Sequence, residues 1–446
     1  MAWLITGGAG YLGAHVVRAM LATDRQVVVL DDLSSGSAER LPADVPLIRG
    51  DTHSRRSVRR ALDAGSEPVT GLIHLAMRAD AAESVQRPLY YWSQNVGGLL
   101  VVLEELVEAG VRNVILGSSA DVYGRSVLKL DPAERISERT ALQPTTPFGA
   151  TVVAAEEMIA ATAIAEGWRS LSLRMFPLAG AAAPELGPTR VEGFIPEVLQ
   201  ALHDGQRPRV FGDDFNTEDG SAVHDLTHPS EAAAAFVAAV RAIELTQATT
   251  ATTQDAGAVM RAAGDQLQTA AARAEEEARK LPGVALAADV AAGTAAAAEA
   301  ASAAALRAMD RLPGLSLARR IAERSIEDAL TVATGETVVD QMGGALEQVG
   351  SLVARMAGVD DNHRIQGHEA INIGRGRGRS SFRTIEALRE SVGEQFAVDI
   401  VRRRAGDPAS VVANTDLARR RLGWRARGSL QDITDSAWEA WKHDHT

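Results

Sequence analysis

The 446-residue chain contains no cysteine, which excludes disulfides, thiolate metal sites and a cysteine nucleophile together. Lysine is almost absent: the 46 basic residues are 43 arginines with Lys129, Lys280 and Lys442. Any chemistry that needs an ammonium group therefore has three candidates. Carboxylates exceed basic residues by 12, an imbalance that disfavours nucleic acid as a partner, since that binding needs a basic stripe. No run of 18 uncharged apolar residues occurs, so no membrane span is expected. The first strand-like run begins at Ala2 without a charged and apolar leader before it, and a cytoplasmic location is the expectation. Aromatic residues make up 4% of the chain, and none lies between Phe236 and Phe382. What is present, 46% apolar and 23% charged residues, is the composition of a globular protein. At roughly 100 to 200 residues per domain its length predicts two or three domains.

Within the aromatic-free stretch, residues 245–366 hold 33 alanines in 122 positions. Such a segment cannot assemble an aromatic-rich core, while abundant alanine, arginine and glutamate favour helix. Leu281-Pro282-Gly283-Val284-Ala285-Leu286-Ala287 recurs 31 residues later as Leu312-Pro313-Gly314-Leu315-Ser316-Leu317-Ala318, and Met342-Gly343-Gly344 follows 30 residues on. Proline and glycine there stop one helix and start another. The expectation is an all-α insertion with helices near 253–280, 284–310, 315–341 and 344–357, and an Ala-rich flexible linker is the alternative. An even number of antiparallel helices returns the chain to its starting point. Alanine ridges bury little apolar area, so such an arm is expected to seek a symmetry mate and mediate homo-oligomerisation.

The remaining residues alternate strand and helix. Ala2–Thr6, Gln26–Leu30, Gly71–Leu75, Asn113–Gly117 and Leu171–Arg174 read as buried strands separated by amphipathic stretches such as Trp92–Ala109. This pattern predicts an α/β fold with a doubly wound parallel sheet. Directly after the first strand come Gly7, Gly10, Tyr11, Leu12 and Gly13, opening an apolar helix. A dinucleotide pyrophosphate approaches backbone amides at a helix N-terminus, so side chains are excluded there, and the last glycine lets helix and strand pack closely. Asp31 ends the second strand 18 residues after Gly13, with Asp32 beside it. A carboxylate there accepts bonds from the adenosine ribose and repels a 2′-phosphate, which favours NAD over NADP.

With these motifs the chain resembles the extended short-chain dehydrogenase/reductase family, most nearly its nucleotide-sugar epimerases, over about 1–244 and 367–446. The resemblance implies a Rossmann core over 1–180 and a smaller substrate domain from 181–244 and 367–446, some of whose parts return to the core. It implies cofactor contacts at Asp51, Thr52, Leu75, Ala76 and Asn95, from Gly50-Asp51, His74-Leu75-Ala76 and Asn95-Val96. Ser119, in Ser118-Ser119-Ala120-Asp121-Val122-Tyr123-Gly124, keeps the position of the hydroxyl that meets the sugar 4-OH. Phe176, Phe211, His224, Arg404 and Asp407 stand at the substrate positions, so a nucleotide sugar is the implied ligand.

The family's proton transfer uses a Tyr-x-x-x-Lys pair one helical turn apart, the ammonium lowering the tyrosine pKa. The matching stretch is Pro147-Phe148-Gly149-Ala150-Thr151-Val152. Phe148 and Val152 stand where the pair belongs, and neither carries a proton. None of Tyr11, Tyr90, Tyr91 and Tyr123 has a lysine four residues on. Ala79, Pro177 and His224 also replace a lysine, an asparagine and an arginine that the resemblance implies. Ser119 reads equally as a structural turn residue. Asp121, where related dehydratases carry a glutamate base, reads as a loop carboxylate or a relocated base, and His224 as a polar contact or a base. No cluster of His, Asp and Glu has metal-ligand spacing. The expectation is an NAD-binding, epimerase-like pseudoenzyme with a scaffolding, assembly or sensing role; the rival is an active epimerase or dehydratase using Asp121.

Overall fold

The computed structural model describes residues 2–246, 365, 367–404 and 406–445. The expected helical insertion lies almost wholly outside them. The chain divides into two units, Met1–Ile243 with Ile365–Thr446, and Glu244–Arg364.

In chain order the first unit begins with β1 (Ala2–Thr6), α1 (Tyr11–Leu21), β2 (Gln26–Asp31), β3 (Leu47–Arg49), α2 (Arg55–Leu62) and β4 (Val69–His74). Then come α3 (Ala81–Gln86), α4 (Pro88–Tyr91), α5 (Gly98–Ala109), β5 (Asn113–Ser119), α6 (Pro147–Glu166) and β6 (Arg169–Met175). The substrate-side part opens with α7 (Phe194–His203), β7 (Arg209–Phe211), β8 (Val223–His224) and α8, over 229–246. After the second unit come β9 (Gly367–Ile373), β10 (Arg379–Ser380), α9 (Ser381–Val392), β11 (Asp399–Val401), β12 (Ser410–Val411), α10 (Asp416–Leu422) and α11 (Leu430–His445). Seven parallel strands form the main sheet in the order β3-β2-β1-β4-β5-β6-β9.

Alternation along each strand sorts its residues between the two faces. Trp3 and Ile5 join Val16, Val17 and Met20 of α1 and Phe236 and Val240 of α8 on one side. Ala2 and Leu4 join Val58 of α2, Leu99 and Val102 of α5 and Ile159 of α6 on the other. Both faces are covered, which is why these strands read as continuous apolar runs. A smaller cluster joins Ile195 and Leu199 of α7 to Leu388 of α9 and Ile433 of α11. Ile243 and Ile365, which flank the second unit, are both buried in the first cluster.

Two helices differ from a plain amphipathic reading. The stretch expected as one helix from Trp92 is π-helical over Trp92–Gly97 before α5 begins. The wider turn goes with a buried Asn95, whose side chain bonds to Arg78 and Thr151. Helix α6, by length and composition, is long and apolar enough to cross a membrane. In this fold it packs on the sheet through Ala155, Ile159 and Ala163. Its Glu156 forms a buried ion pair with Arg174 at 2.7 Å.

Candidate functional site

A cavity of about 940 Å³ follows the carboxyl edge of the sheet from Asp31 at β2 to Phe176 beyond β6. Strand order reverses between β1 and β4, the crevice where doubly wound sheets bind ligands.

The loop after β1 is built for close approach. Gly7 has φ +73°, and a Cβ there would lie 2.7 Å from the Ala76 nitrogen. A Cβ on Gly13 would stand 2.0 Å from the Gly7 carbonyl oxygen. Gly10 occupies the N-cap of α1 without a side-chain cap, and the first turn carries no acid. Its amides and the positive end of the helix dipole are therefore left for an anion. Asp31 Oδ2 accepts from the Ala9 amide at 2.9 Å and Oδ1 from the Leu33 amide at 2.8 Å. A carboxylate has about four lone-pair sites, so two remain for hydroxyls. Burial raises the Asp31 pKa against the pull of those amides. A glycine cradle and a fixed carboxylate together fit a dinucleotide with an unmodified adenosine ribose.

Gly7, Gly10, Tyr11, Leu12 and Gly13 line the cavity, and so do Asp32, Asp51, Thr52, Leu75 and Ala76. Asp32 pairs with Arg78 at 3.1 Å. Asn95 is fully buried and does not line the cavity; its bonds to Arg78 and Thr151 brace the wall from behind. The Tyr11 hydroxyl donates to the Gly180 carbonyl, and burial pushes its pKa up.

At the β5–β6 end, Phe148 lines the cavity at the start of α6, while Val152 is buried among Tyr91, Val122 and Phe176. Among the described residues no lysine lines the cavity, and its single tyrosine is Tyr11. Ser119 and Asp121 both line it, and the serine hydroxyl donates to the carboxylate at 2.6 Å. Phe176 and His224 are also in the wall, and burial lowers the His224 pKa, opposed by Asp407. Phe211 and Arg404 are brought together with each other: the guanidinium lies 3.9 Å from the ring centroid. Neither lines the cavity, nor does Asp407, although its neighbours Gly406 and Pro408 do. Arg78, Arg190, Trp441, Asp444 and His445 also line the wall. No sequence motif marked them; the last three arrive because α11 docks on α7 and α9. Among the described residues no group of three or more His, Asp or Glu side chains could hold a metal ion.

Residues 3–251, more than half of the chain, match the NAD dependent epimerase/dehydratase family. The UDP-glucose 4-epimerase of Corynebacterium glutamicum is 37% identical over 247 residues, 55% of this chain and 72% of that protein. That of Halalkalibacterium halodurans is 26% identical over an alignment of 456 positions covering 100% of this chain and 96% of the other. Among solved structures, a UDP-glucose-4-epimerase from Stenotrophomonas maltophila, with bound NAD and formylated UDP-arabinopyranose, gives a TM-score of 0.68 at 21% identity, covering 100% of this chain and 99% of that one. The last likeness is one of fold.

Proposed function

The chain belongs to the NAD-dependent epimerase/dehydratase family, and from that premise we propose that it is an NAD-binding, epimerase-like protein without the ordinary epimerase proton transfer, acting in scaffolding, assembly or sensing. The observation that carries this is the start of α6, where Phe148 meets the cavity and Val152 is buried in its place one turn on. NAD, when bound, supplies a hydride acceptor and donor. The α1 amides hold its pyrophosphate, and Asp31 orients the adenosine ribose. Taking a hydroxyl proton from a sugar then requires a base, and neither a phenyl nor an isopropyl group is one. Tyr11 cannot substitute, since its proton is held by the Gly180 carbonyl and its charged form is penalised by burial. Loss of a general base typically costs about 10² to 10⁴ in rate.

A second reading has one observation in its favour: Asp121 faces the cavity with the Ser119 hydroxyl bonded to it. An epimerase or dehydratase could use that carboxylate as a relocated base. Calorimetry with NAD and NADP, followed by an assay of UDP-glucose and UDP-galactose interconversion on the same preparation, tests both readings. NAD binding without measurable turnover is expected. Robust turnover by the unmodified chain overturns the pseudoenzyme reading, and folded protein that binds neither cofactor overturns the NAD assignment.

A further inference from the structure

Pro188, Thr189, Arg190, Val191 and Glu192 line the cavity from the segment that leads into α7. Two contacts tie this segment to elements on either side of β1. The Thr189 hydroxyl donates to the Ser35 carbonyl at 2.9 Å, in the loop after β2. The Arg190 guanidinium lies 3.9 Å from Glu83 of α3, which follows β4. Because β1 stands between β2 and β4 in the sheet, the segment crosses the glycine loop and the first turn of α1. Arg190 therefore faces the cavity opposite the uncapped α1 amides.

Its partners hold it weakly. Arg190 lies 3.3 Å from Glu192, with the two side chains 43% and 44% exposed, and an ion pair so exposed contributes little. Glu83 is satisfied without it, since Oε1 accepts from Arg87 at 2.8 Å and Oε2 from the Tyr91 hydroxyl at 2.9 Å. Arg78, by contrast, is 16% exposed and bonded to Asp32 at 3.1 Å. Seven carboxylates line the cavity among the described residues, so an entering diphosphate meets like charge that the partial charge of one helix end offsets only in part. A guanidinium offers phosphate oxygens two parallel N–H groups, in bonds stronger than those between neutral groups. We infer that Arg190 exchanges Glu192 for a phosphate and is a diphosphate ligand of this cavity, closing the anion site from the side opposite α1. Strand order favours the pyrophosphate of the dinucleotide, and the diphosphate of a nucleotide sugar offers the same chemistry. This inference rests on the reading that the α1 end holds NAD.

The test titrates the full chain by calorimetry with NAD, and the NAD-loaded chain with UDP, each at low and high salt. Arg190→Gln should weaken the ligand whose phosphates it meets by roughly tenfold or more, the effect of losing hydrogen bonds to a charged group, and should make its binding less sensitive to salt. Arg190→Lys should recover part of the loss. Glu192→Gln, which removes the competing carboxylate, should tighten the same ligand. A loss for NAD alone assigns Arg190 to the pyrophosphate, for UDP alone to the nucleotide sugar, and for both to a place between them. A folded Arg190→Gln protein that binds both as the unmodified chain does overturns the inference. So does a loss that Arg190→Lys leaves unrelieved and that keeps the full salt dependence, since that is the mark of a segment with a structural role only. If the unmodified chain binds no NAD, that reading has failed, and the UDP titration alone then decides the role of Arg190. A folded chain that binds neither overturns both.

Discussion

The Ser119 hydroxyl donates to Asp121 Oδ2 at 2.6 Å and accepts from the Asp121 amide at 3.1 Å. This reciprocal pair caps the short helical turn Ala120–Val122. It also commits the serine proton to a carboxylate, so the hydroxyl presents its oxygen, and not its hydrogen, to a ligand. The two side chains therefore act as one acceptor surface at the β5 end of the cavity.

Turnover, if any is found, should depend on that surface. We expect no appreciable interconversion of UDP-glucose and UDP-galactose by the unmodified chain. The double substitution Phe148→Tyr with Val152→Lys restores at most a trace, because the wall still lacks an arginine at His224. Should a slow rate be measured, Asp121→Asn is expected to lower it by about 10² or more, as removal of a general base does. An Asp121→Asn protein with undiminished activity rules out the relocated base.

Asp31 is held in place by the Ala9 and Leu33 amides before any ligand arrives. Asp31→Ala removes the ribose acceptor and loosens the glycine loop through Ala9. NAD should bind about ten- to a hundredfold more weakly, the range for hydrogen bonds to a charged group. The preference over NADP should narrow at the same time, because the repulsion of a 2′-phosphate is removed too. Equal loss for both cofactors, measured by calorimetry, contradicts the assigned role.

Gly13→Ala tests the close approach itself. Its Cβ would stand 2.0 Å from the Gly7 carbonyl and 2.7 Å from the Gly8 Cα, both backbone atoms that cannot rotate away. The cost is that of overpacking, about 1 to 3 kcal/mol. Urea unfolding should show it, together with loss of NAD binding by the protein that remains folded. A variant of unchanged midpoint and affinity means that the loop is looser than its geometry indicates.

Burial lowers the pKa of His15 and of His74 from 6.5 to about 4. His15 Nδ1 donates to the Tyr11 carbonyl at 2.8 Å and Nε2 accepts from the Ala182 amide at 3.0 Å. A proton on Nε2 would face another N–H. Between about pH 4 and 6.5 the folded protein therefore binds fewer protons than the unfolded chain. Stability then rises with pH across that window and is lost as pH falls through it, by up to about 3 kcal/mol per histidine. Asp31 and Asp225, raised by burial, act in the opposite sense just above their ordinary range. Urea midpoints should fall between pH 7 and 4.5 with an unchanged slope. His15→Gln, which keeps a donor and an acceptor, should flatten that fall. A midpoint independent of pH over this range removes the assignment.

The cofactor half was legible in the sequence because its chemistry is local. Gly7, Gly10 and Gly13 lie on one loop, and Asp31 ends the adjacent strand, so spacing along the chain maps directly onto space. The strand centres were legible for the same reason, buried apolar runs on a two-sided sheet, although β6 begins two residues earlier than its apolar run. The rest of the cavity is assembled from afar. Trp441 and His445 reach it only through the docking of α11, and Arg404 lies over the Phe211 ring, outside the wall. Asn95 read as a cofactor contact, yet the π-helical turn carries it behind the wall, a displacement with no signature in residue type.

Residues 245–366 are proposed, from their alanine content and repeats, to mediate self-association. The described flanks bear on whether they can be removed. Ile243 of α8 and Ile365 just before β9 are buried in the same apolar cluster. Strand β9 pairs along its whole length with β6, so the sheet holds the returning chain independently of what lies between. A short Gly-Ser bridge would join these two buried anchors, and loop-closure entropy rises only slowly with length, so a shorter connection is not a penalty. The excised chain should fold, bind NAD with unchanged affinity and show a lower subunit number by light scattering. An unaltered subunit number in a folded, NAD-binding core shows that assembly resides elsewhere, and a foreign partner for the segment becomes the better hypothesis.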